Sequence, residues 1–337
     1  MKQWLAKLFG KKHIEEQMDA GTAFPIPWEG SRQSIYLFLS PYAQGSEPLP
    51  ENAQTLPDEN TQAGELRWVA GGMDGAFGHH GGSAGSEETA IQLLSALGAA
   101  TESPSLANIQ KLYALLRNEP PLDYIDILME KLPQASALSS QKVHDMMLWL
   151  AMESPDRNPV KCAVALLAYF PSQENQALVS LLGLHGEFTL FSAVALHNIL
   201  PAESHETALV ARAKRVASWG RIQLIERLPD EVSSTTRDWL LREGYSNSVM
   251  PEYTAWDCAT KGKLLTVLTS GNVDAELLLG AGEILSALIY GGPARDIHDY
   301  VDGSLACHHY LVLIRQSTDD NARNLTESRG YQRLYQR

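Results

Sequence analysis

From residue 105 to residue 316, apolar positions recur three and four apart, the spacing of helices that bury one face. Leu106, Ile109, Leu112, Tyr113 and Leu116 make one stripe behind Ser105, a residue suited to cap the helix. Asn118-Glu119-Pro120-Pro121 stops it, and Tyr124, Ile125, Leu128 and Leu132 begin the next stripe, over 122–132. The pattern then predicts helices over 140–153, 158–170, 173–184, 188–200, 203–217, 219–228 and 235–243, the last ended by Gly244. Further helices are expected over 251–260, 261–269, 274–290, 294–301 and 304–316. Residues 160–168 and 188–196 are apolar on most faces, which predicts inner helices whose alanines allow close approach. Three segments end alike, in Tyr169-Phe170-Pro171, Ile199-Leu200-Pro201 and Arg227-Leu228-Pro229. Their prolines are spaced by 30 and then 28 positions.

Upstream the periodicity fails. Residues 1–64 read as irregular, with one apolar run, Ile35-Tyr36-Leu37-Phe38-Leu39, too short to assign to helix or strand. A loop rich in Pro, Glu and Asn follows from Gly45 to Glu59. Residues 64–86 hold eight glycines in 23 positions. Glycine costs a helix about 1 kcal/mol relative to alanine, so this stretch is expected to be a tight, irregular loop with several positive φ angles. Ser86-Glu87-Glu88-Thr89 then starts a helix with Ala90, Ile91, Leu94 and Leu97 on one face. The expected organisation is an irregular segment over 1–86 that packs its glycine loop on a helical repeat domain over 87–316, then a polar tail over 317–337.

The helix pairs and their degenerate period resemble HEAT-like repeat proteins over residues 105–316. The resemblance implies an all-α fold, a HEAT-like α-solenoid in which antiparallel helix pairs stack into a superhelix because no pair buries its apolar face alone. The stretches Ser218-Trp219-Gly220-Arg221-Ile222-Gln223-Leu224-Ile225-Glu226-Arg227-Leu228 and Trp239-Leu240-Leu241-Arg242-Glu243-Gly244-Tyr245-Ser246-Asn247 are also similar to uncharacterised bacterial α-helical proteins, a similarity that supplies no activity. Solenoids usually bind rather than transform. HEAT-like folds also host DNA glycosylases that use Trp and Asp on a basic concave face, so nucleic-acid processing is one alternative that the resemblance implies.

Charge weighs against that alternative. Lys and Arg total 27 and Asp and Glu total 40, a formal charge of −13. Nucleic-acid binding rests on cationic contacts that release counterions. An acidic surface instead suits a basic protein partner, and the same acidity also serves plain solubility. Cys162, Cys258 and Cys307 stand far apart without zinc-ligand spacing, which predicts no disulfide framework and a reducing, cytoplasmic setting. No apolar run is long enough to span a membrane. Residues 1–12 are cationic with apolar positions at helical spacing; a weak membrane-surface contact or a packed first helix both fit.

Two constellations carry candidate chemistry. In the glycine segment, Asp74, His79 and His80 offer imidazoles and a carboxylate near flexible backbone, which suits ligand or metal-dependent chemistry. The plainer reading is a loop packed on the solenoid with its polar groups bonded to backbone. The second constellation is Trp219, Arg221, Glu226, Arg242, Asn247, Glu252 and Tyr253, where aromatic and arginine anchors on a concave face would bind a partner; the plainer reading places the tryptophans in the core and the charges in ion pairs between repeats. No dinucleotide or P-loop spacing, nucleophile elbow or H-E-x-x-H motif occurs. No catalytic residue, metal or cofactor is therefore indicated. The function expected from the sequence is protein binding, in its sharpest form an immunity or inhibitor protein that neutralises a basic toxin or effector enzyme.

Overall fold

The computed structural model describes residues 24–59, 69–75 and 86–317. Among these residues the chain is all-helical, with no strand. It divides into two compact units, Met1–Gln223 and Leu224–Arg337. No described helix is long and apolar enough to cross a membrane. The expectations for residues 1–12 and for the tail beyond 317 fall outside the described residues.

In the first unit the ambiguous run at 35–39 is a short helix, α1 (Ile35–Leu39). The glycine-poor region then gives α2 (Glu87–Glu102), α3 (Leu106–Asn118), α4 (Ile125–Lys131), α5 (Ser140–Glu153), α6 (Arg157–Leu166), α7 (Gln173–Leu182), α8 (Gly186–Ile199) and α9 (Ala202–Ala213). Capping decides several starts: the hydroxyls of Ser86, Ser105, Ser139 and Ser172 each accept a backbone N–H from the first turn of α2, α3, α5 and α7. Consecutive helices pack on each other, α2 on α3, α5 on α6 and α7 on α8. Helix α6 lies at the centre, in contact with α3, α5 and α8. Every residue from Pro159 to Leu166 is buried, as the apolar run predicts, and α8 is buried on most faces. Cys162 belongs to this core.

Helix α10 (Trp219–Glu226) spans the division between the units. The second unit continues with α11 (Ser234–Trp239), a π-helical turn over Leu240–Gly244, α12 (Glu252–Lys261), α13 (Leu264–Thr269), α14 (Ala275–Tyr290) and α15, residues 303–317. Helix α14 packs on α12 and on the π-helical turn. The close approach needs Gly280, where an added Cβ would stand 2.0 Å from the Leu241 carbonyl oxygen. The helix expected over 294–301 is absent. Gly291 and Gly292 take positive φ, and the carboxylates of Asp296 and Asp299 accept the backbone N–H groups of His298 and Asp296. Side chains that bond nearby backbone offer an alternative to the helical ladder, and here they win.

The segment 24–59 is held to the first unit by two neighbouring residues at the start of α6. Asp156 receives both Arg32 amino groups at 2.7 and 2.9 Å and the Tyr113 hydroxyl at 2.6 Å. Arg157 donates its backbone N–H, Nε and Nη2 to the Asp58 carboxylate at 2.9, 3.0 and 2.9 Å. One residue thus grips the beginning of the segment and the next grips its end. Asp156 is buried, so its charge depends on these donors. Replacing Asp156 by Asn is expected to destabilise the first unit by about 2 kcal/mol. Arg117, mostly exposed and 3.5 Å from the same carboxylate, is the control: Arg117→Ala should stay within about 0.5 kcal/mol. Urea unfolding midpoints at unchanged m-value check both.

Candidate functional site

The glycine segment and α6 meet in a buried cluster of charges. Lys161 sits in the middle of α6, on a helix with no solvent face, so its ammonium must find carboxylates inside. It finds two: Asp74 Oδ2 at 2.6 Å and Glu187 Oε2 at 2.7 Å. Glu187, in the first turn of α8, also takes Arg157 Nη1 at 3.4 Å and the Gly71 backbone N–H at 3.0 Å. Arg157 carries Asp58 and, at 3.3 Å, Glu59. The Lys161 ammonium further stands 5.8 Å from the centre of the Phe191 ring.

Backbone contact brings the segment this close. Gly71 has φ +72, and a Cβ there would stand 2.4 Å from the Gly186 carbonyl oxygen; a Cβ on Gly186 would in turn stand 2.7 Å from the Ala70 carbonyl oxygen. Gly75 leaves room for the Trp219 indole, whose Cε3 would be 2.4 Å from any Cβ. Side chains at these positions would drive the two backbones apart. His185 caps this end of α8. Its Nε2 reaches the Gln54 carbonyl at 3.2 Å and its Nδ1 accepts the Glu187 N–H at 3.3 Å. A carbonyl only accepts and an amide only donates, so the imidazole is the neutral Nε2–H tautomer. Burial pushes its pKa down, in keeping with that state.

The two carboxylates differ in electrostatic role. Burial works against ionised Glu187, yet Lys161 and Arg157 hold its pKa down to about 2. Burial of Asp74 outweighs its single pairing with Lys161 and raises its pKa. Asp74 is therefore spent on the ammonium rather than presented to a ligand. His79 and His80 lie outside the described residues. Among the described residues, no three of His, Cys, Asp and Glu gather where they could hold a metal ion.

The second constellation is largely engaged within the fold. Trp219 is buried against Gly72 and Gly75. Arg221 Nε donates to the carbonyls of Ala213 and Val216 at 2.9 and 2.8 Å. Glu226 is half-buried, 3.9 Å from Arg227. Arg242 pairs with Asp238 at 2.8 Å, Asp274 at 2.7 Å and Glu276 at 3.3 Å. Asn247 Oδ1 accepts the N–H groups of Val249 and Met250 and so shapes the turn before α12. Glu252 is half-buried, with Oε2 inside and unbonded, and Tyr253 is buried.

The sequence reading missed the surface around α15. Helix α15 meets α14 through Tyr310, whose hydroxyl lies where a Cβ on Gly282 would be, while Gly303 sits against Ile297 and Ala306 is buried. Several apolar residues along it are exposed, Leu305, Leu311, Val312 and Ile314, with Val301 just before it 98% exposed. Ile289 and Tyr290, at the end of α14, are exposed too. Beside Val301 opens a cleft of about 290 Å³, lined by Trp256, Lys263, Thr266, Asp299, Tyr300 and Asp302 among others. Trp256 is fixed there by Nε1 donating to the Asp299 carbonyl at 3.1 Å and by the Arg295 guanidinium 3.9 Å from its ring centre. Lys263, the one non-glycine residue with positive φ among those described, is turned to Glu231 at 2.5 Å. The signal was present in the sequence: α15 has apolar residues on both sides, a pattern that helical periodicity alone reads as core.

Glu187 gives a pH test. Its pKa is lower folded than unfolded, so its stabilisation is present above the unfolded value near 4.5 and is lost as pH falls from there toward 2. Asp74, with a raised pKa, has the opposite sign and offsets part of this. Glu187→Gln is expected to cost about 3 kcal/mol at neutral pH and to flatten the acid limb of stability between pH 4.5 and 2. Asp74→Asn should cost less, because ionised Asp74 is itself penalised by burial. Unfolding free energies measured from pH 2 to 7 compare the three proteins. Compared with known proteins, the chain matches no family model, no curated relative and no solved structure.

Proposed function

We propose that the chain is a protein-binding α-solenoid whose second unit docks a basic partner along the outer side of α15. The observation that carries this reading is the concentration of exposed apolar residues along and around that helix. Exposed apolar residues concentrated in one region mark an interaction site. Of the fifteen large hydrophobic residues that stand exposed among those described, eight fall between Leu279 and Ile314, so the exposure is concentrated rather than scattered.

Charge selects the partner. Residues 274–317 carry six carboxylates against two arginines, and the whole chain is at −13. Like charge opposes a second copy of the chain on this face and favours a basic protein, steering its approach. The cleft beside Val301, with the carboxylates of Asp299 and Asp302 at its edge, has room for a lysine or arginine side chain of that partner. The sharper form of the reading is an immunity or inhibitor protein that neutralises a basic toxin or effector enzyme. Metal-dependent chemistry at the glycine loop is the weaker reading, since Asp74 is already paired with Lys161.

The test uses basic proteins encoded beside the gene, co-expressed with the full chain. At least one should bind it, and where that protein is toxic the chain should relieve toxicity. Leu305→Asp with Leu311→Asp should weaken binding by about 100-fold, the scale of two apolar anchors of an interface, with the helical circular dichroism unchanged. Binding should also weaken as salt rises. Binding that ignores both substitutions, or no binding by any of the basic neighbours, would sink the proposal. Self-association lost in the same double variant would instead assign the face to a second copy.

A further inference from the structure

The buried cations of α6 and α12 come with partners. Lys161 has Asp74 and Glu187, Arg157 has Asp58, and Lys261 has Asp257 at 2.7 Å together with the carbonyls of Ile225 and Glu226, each at 2.9 Å. Arg212 is different. It lies on the inward stripe of α9, with Leu209 and Ala213 beside it and Val216 one turn on, and keeps 8% of its surface. Its Nε and Nη1 are buried and bonded to nothing, and among the described residues no carboxylate pairs with its guanidinium. The helical register fixes it on this face, and a long stem that snorkelled would have carried these nitrogens to water.

The neighbouring charge makes the deficit larger. Arg215, three residues on, is half-buried and donates through Nε and Nη2 to the carbonyls of Glu47 and Tyr42 at 3.3 and 2.9 Å. Those carbonyls take hydrogen bonds but cancel no charge. Arg215 is close enough for its charge to act on Arg212. Burial, then the charge of Arg215, pushes the pKa of Arg212 down to about 10, which leaves it protonated at neutral pH. Buried charges in folded proteins are paired or they neutralise. Arginine does not neutralise near pH 7, so the buried, unbonded Nε and Nη1 of Arg212 call for an anionic acceptor.

We infer that Arg212 and Arg215, at the C-terminal end of α9, form a binding site for a small oxyanion, a phosphate or a carboxylate group. The chemistry selects this class. A guanidinium offers planar paired N–H donors that match the oxygens of carboxylate and phosphate. Chloride gives one acceptor point and leaves donors unmet. The orphan nitrogens lie below the surface, so a small anion or the anionic end of a small metabolite suits the site. The site is independent of the α15 surface and of the function proposed for it.

The full chain is titrated by calorimetry with sodium phosphate and with sodium acetate, against sodium chloride at equal ionic strength, and its melting temperature is followed in the same series. Saturable heat and a rising melting temperature are expected with phosphate or acetate but not with chloride, and the stronger of the two names the group. Arg212→Met keeps the apolar stem and removes the charge. It should melt higher than the parent in chloride and lose the oxyanion response, with Kd at least about tenfold weaker. Arg215→Gln should weaken binding in the same direction. An equal response in the parent and Arg212→Met, or no saturable heat with either anion, overturns the site. Should Arg212→Met fail to fold, the parent and Arg215→Gln decide, and an unchanged affinity in Arg215→Gln overturns it equally.

Discussion

A lysine in the middle of a helix with no solvent face constrains the whole first unit. Lys161 cannot be neutral at ordinary pH without losing its two short contacts, and it cannot be charged without them. Its carboxylates come from α8 and from residue 74, neither of them near it in sequence. Glu187 in turn needs more positive charge than Lys161 supplies, and obtains it from Arg157 one turn earlier on α6. Arg157 then needs Asp58, and its neighbour Asp156 needs Arg32. The chain of requirements runs from the core of α6 out to both ends of segment 24–59. That segment and residues 69–75 are therefore not coverings added to a finished helical array. They complete its electrostatics. Apolar residues of similar volume would often be as stable or more so, but they would tolerate sliding of α6 against α8. Paired charges with fixed hydrogen bonds accept one register.

Glycine makes this arrangement possible at the level of backbone. Lys161 reaches Asp74, in the helical residues 72–75, because Ala70 and Gly71 just before them lie directly on the start of α8, and that contact needs Gly71 and Gly186 facing each other. The glycines in the described part of the segment thus serve close approach of two backbones. The same feature would suit a ligand, which is why the sequence supports both readings of the loop. Where residue 74 is described, the approaching group is another piece of the chain.

What could be read from the sequence follows from range. Helix starts were legible because a serine cap and its first turn are local, as at Ser86 and Ser105. The inner positions of α6 and α8 were legible because an unbroken apolar run has no other place to go. Lys161 was not legible as a charge centre. It sits inside Val160–Ala168 as one polar residue in an apolar run, and its partner Glu187 is 26 positions away in a different helix. The helix expected at 294–301 failed for a local reason, since Asp296 and Asp299 bond backbone in ways that a periodicity count ignores. The outer face of α15 failed for a global one. Apolar residues on two sides of a helix predict two neighbours, and sequence does not say whether both belong to the same chain.

That last ambiguity links the two unsatisfied features of the structure. Hydrophobic faces and buried charges are both debts that folding normally settles within the chain. In the first unit the charges on α6 are settled to the last carboxylate, including those that needed residues about 100 positions apart, such as Asp58 and Arg157. Against that standard, an arginine on the inward face of α9 with two orphan nitrogens is not explained by loose construction. Neither is Leu311, 64% exposed on the last described helix, explained by a shortage of polar residues in a chain with 40 carboxylates. Among the described residues, the Arg212 guanidinium and the exposed apolar residues around α15 are thus the two features on which a role for other molecules is proposed. The proposed occupants follow from the chemistry of each: an oxyanion at Arg212, and a surface with apolar and basic groups at α15.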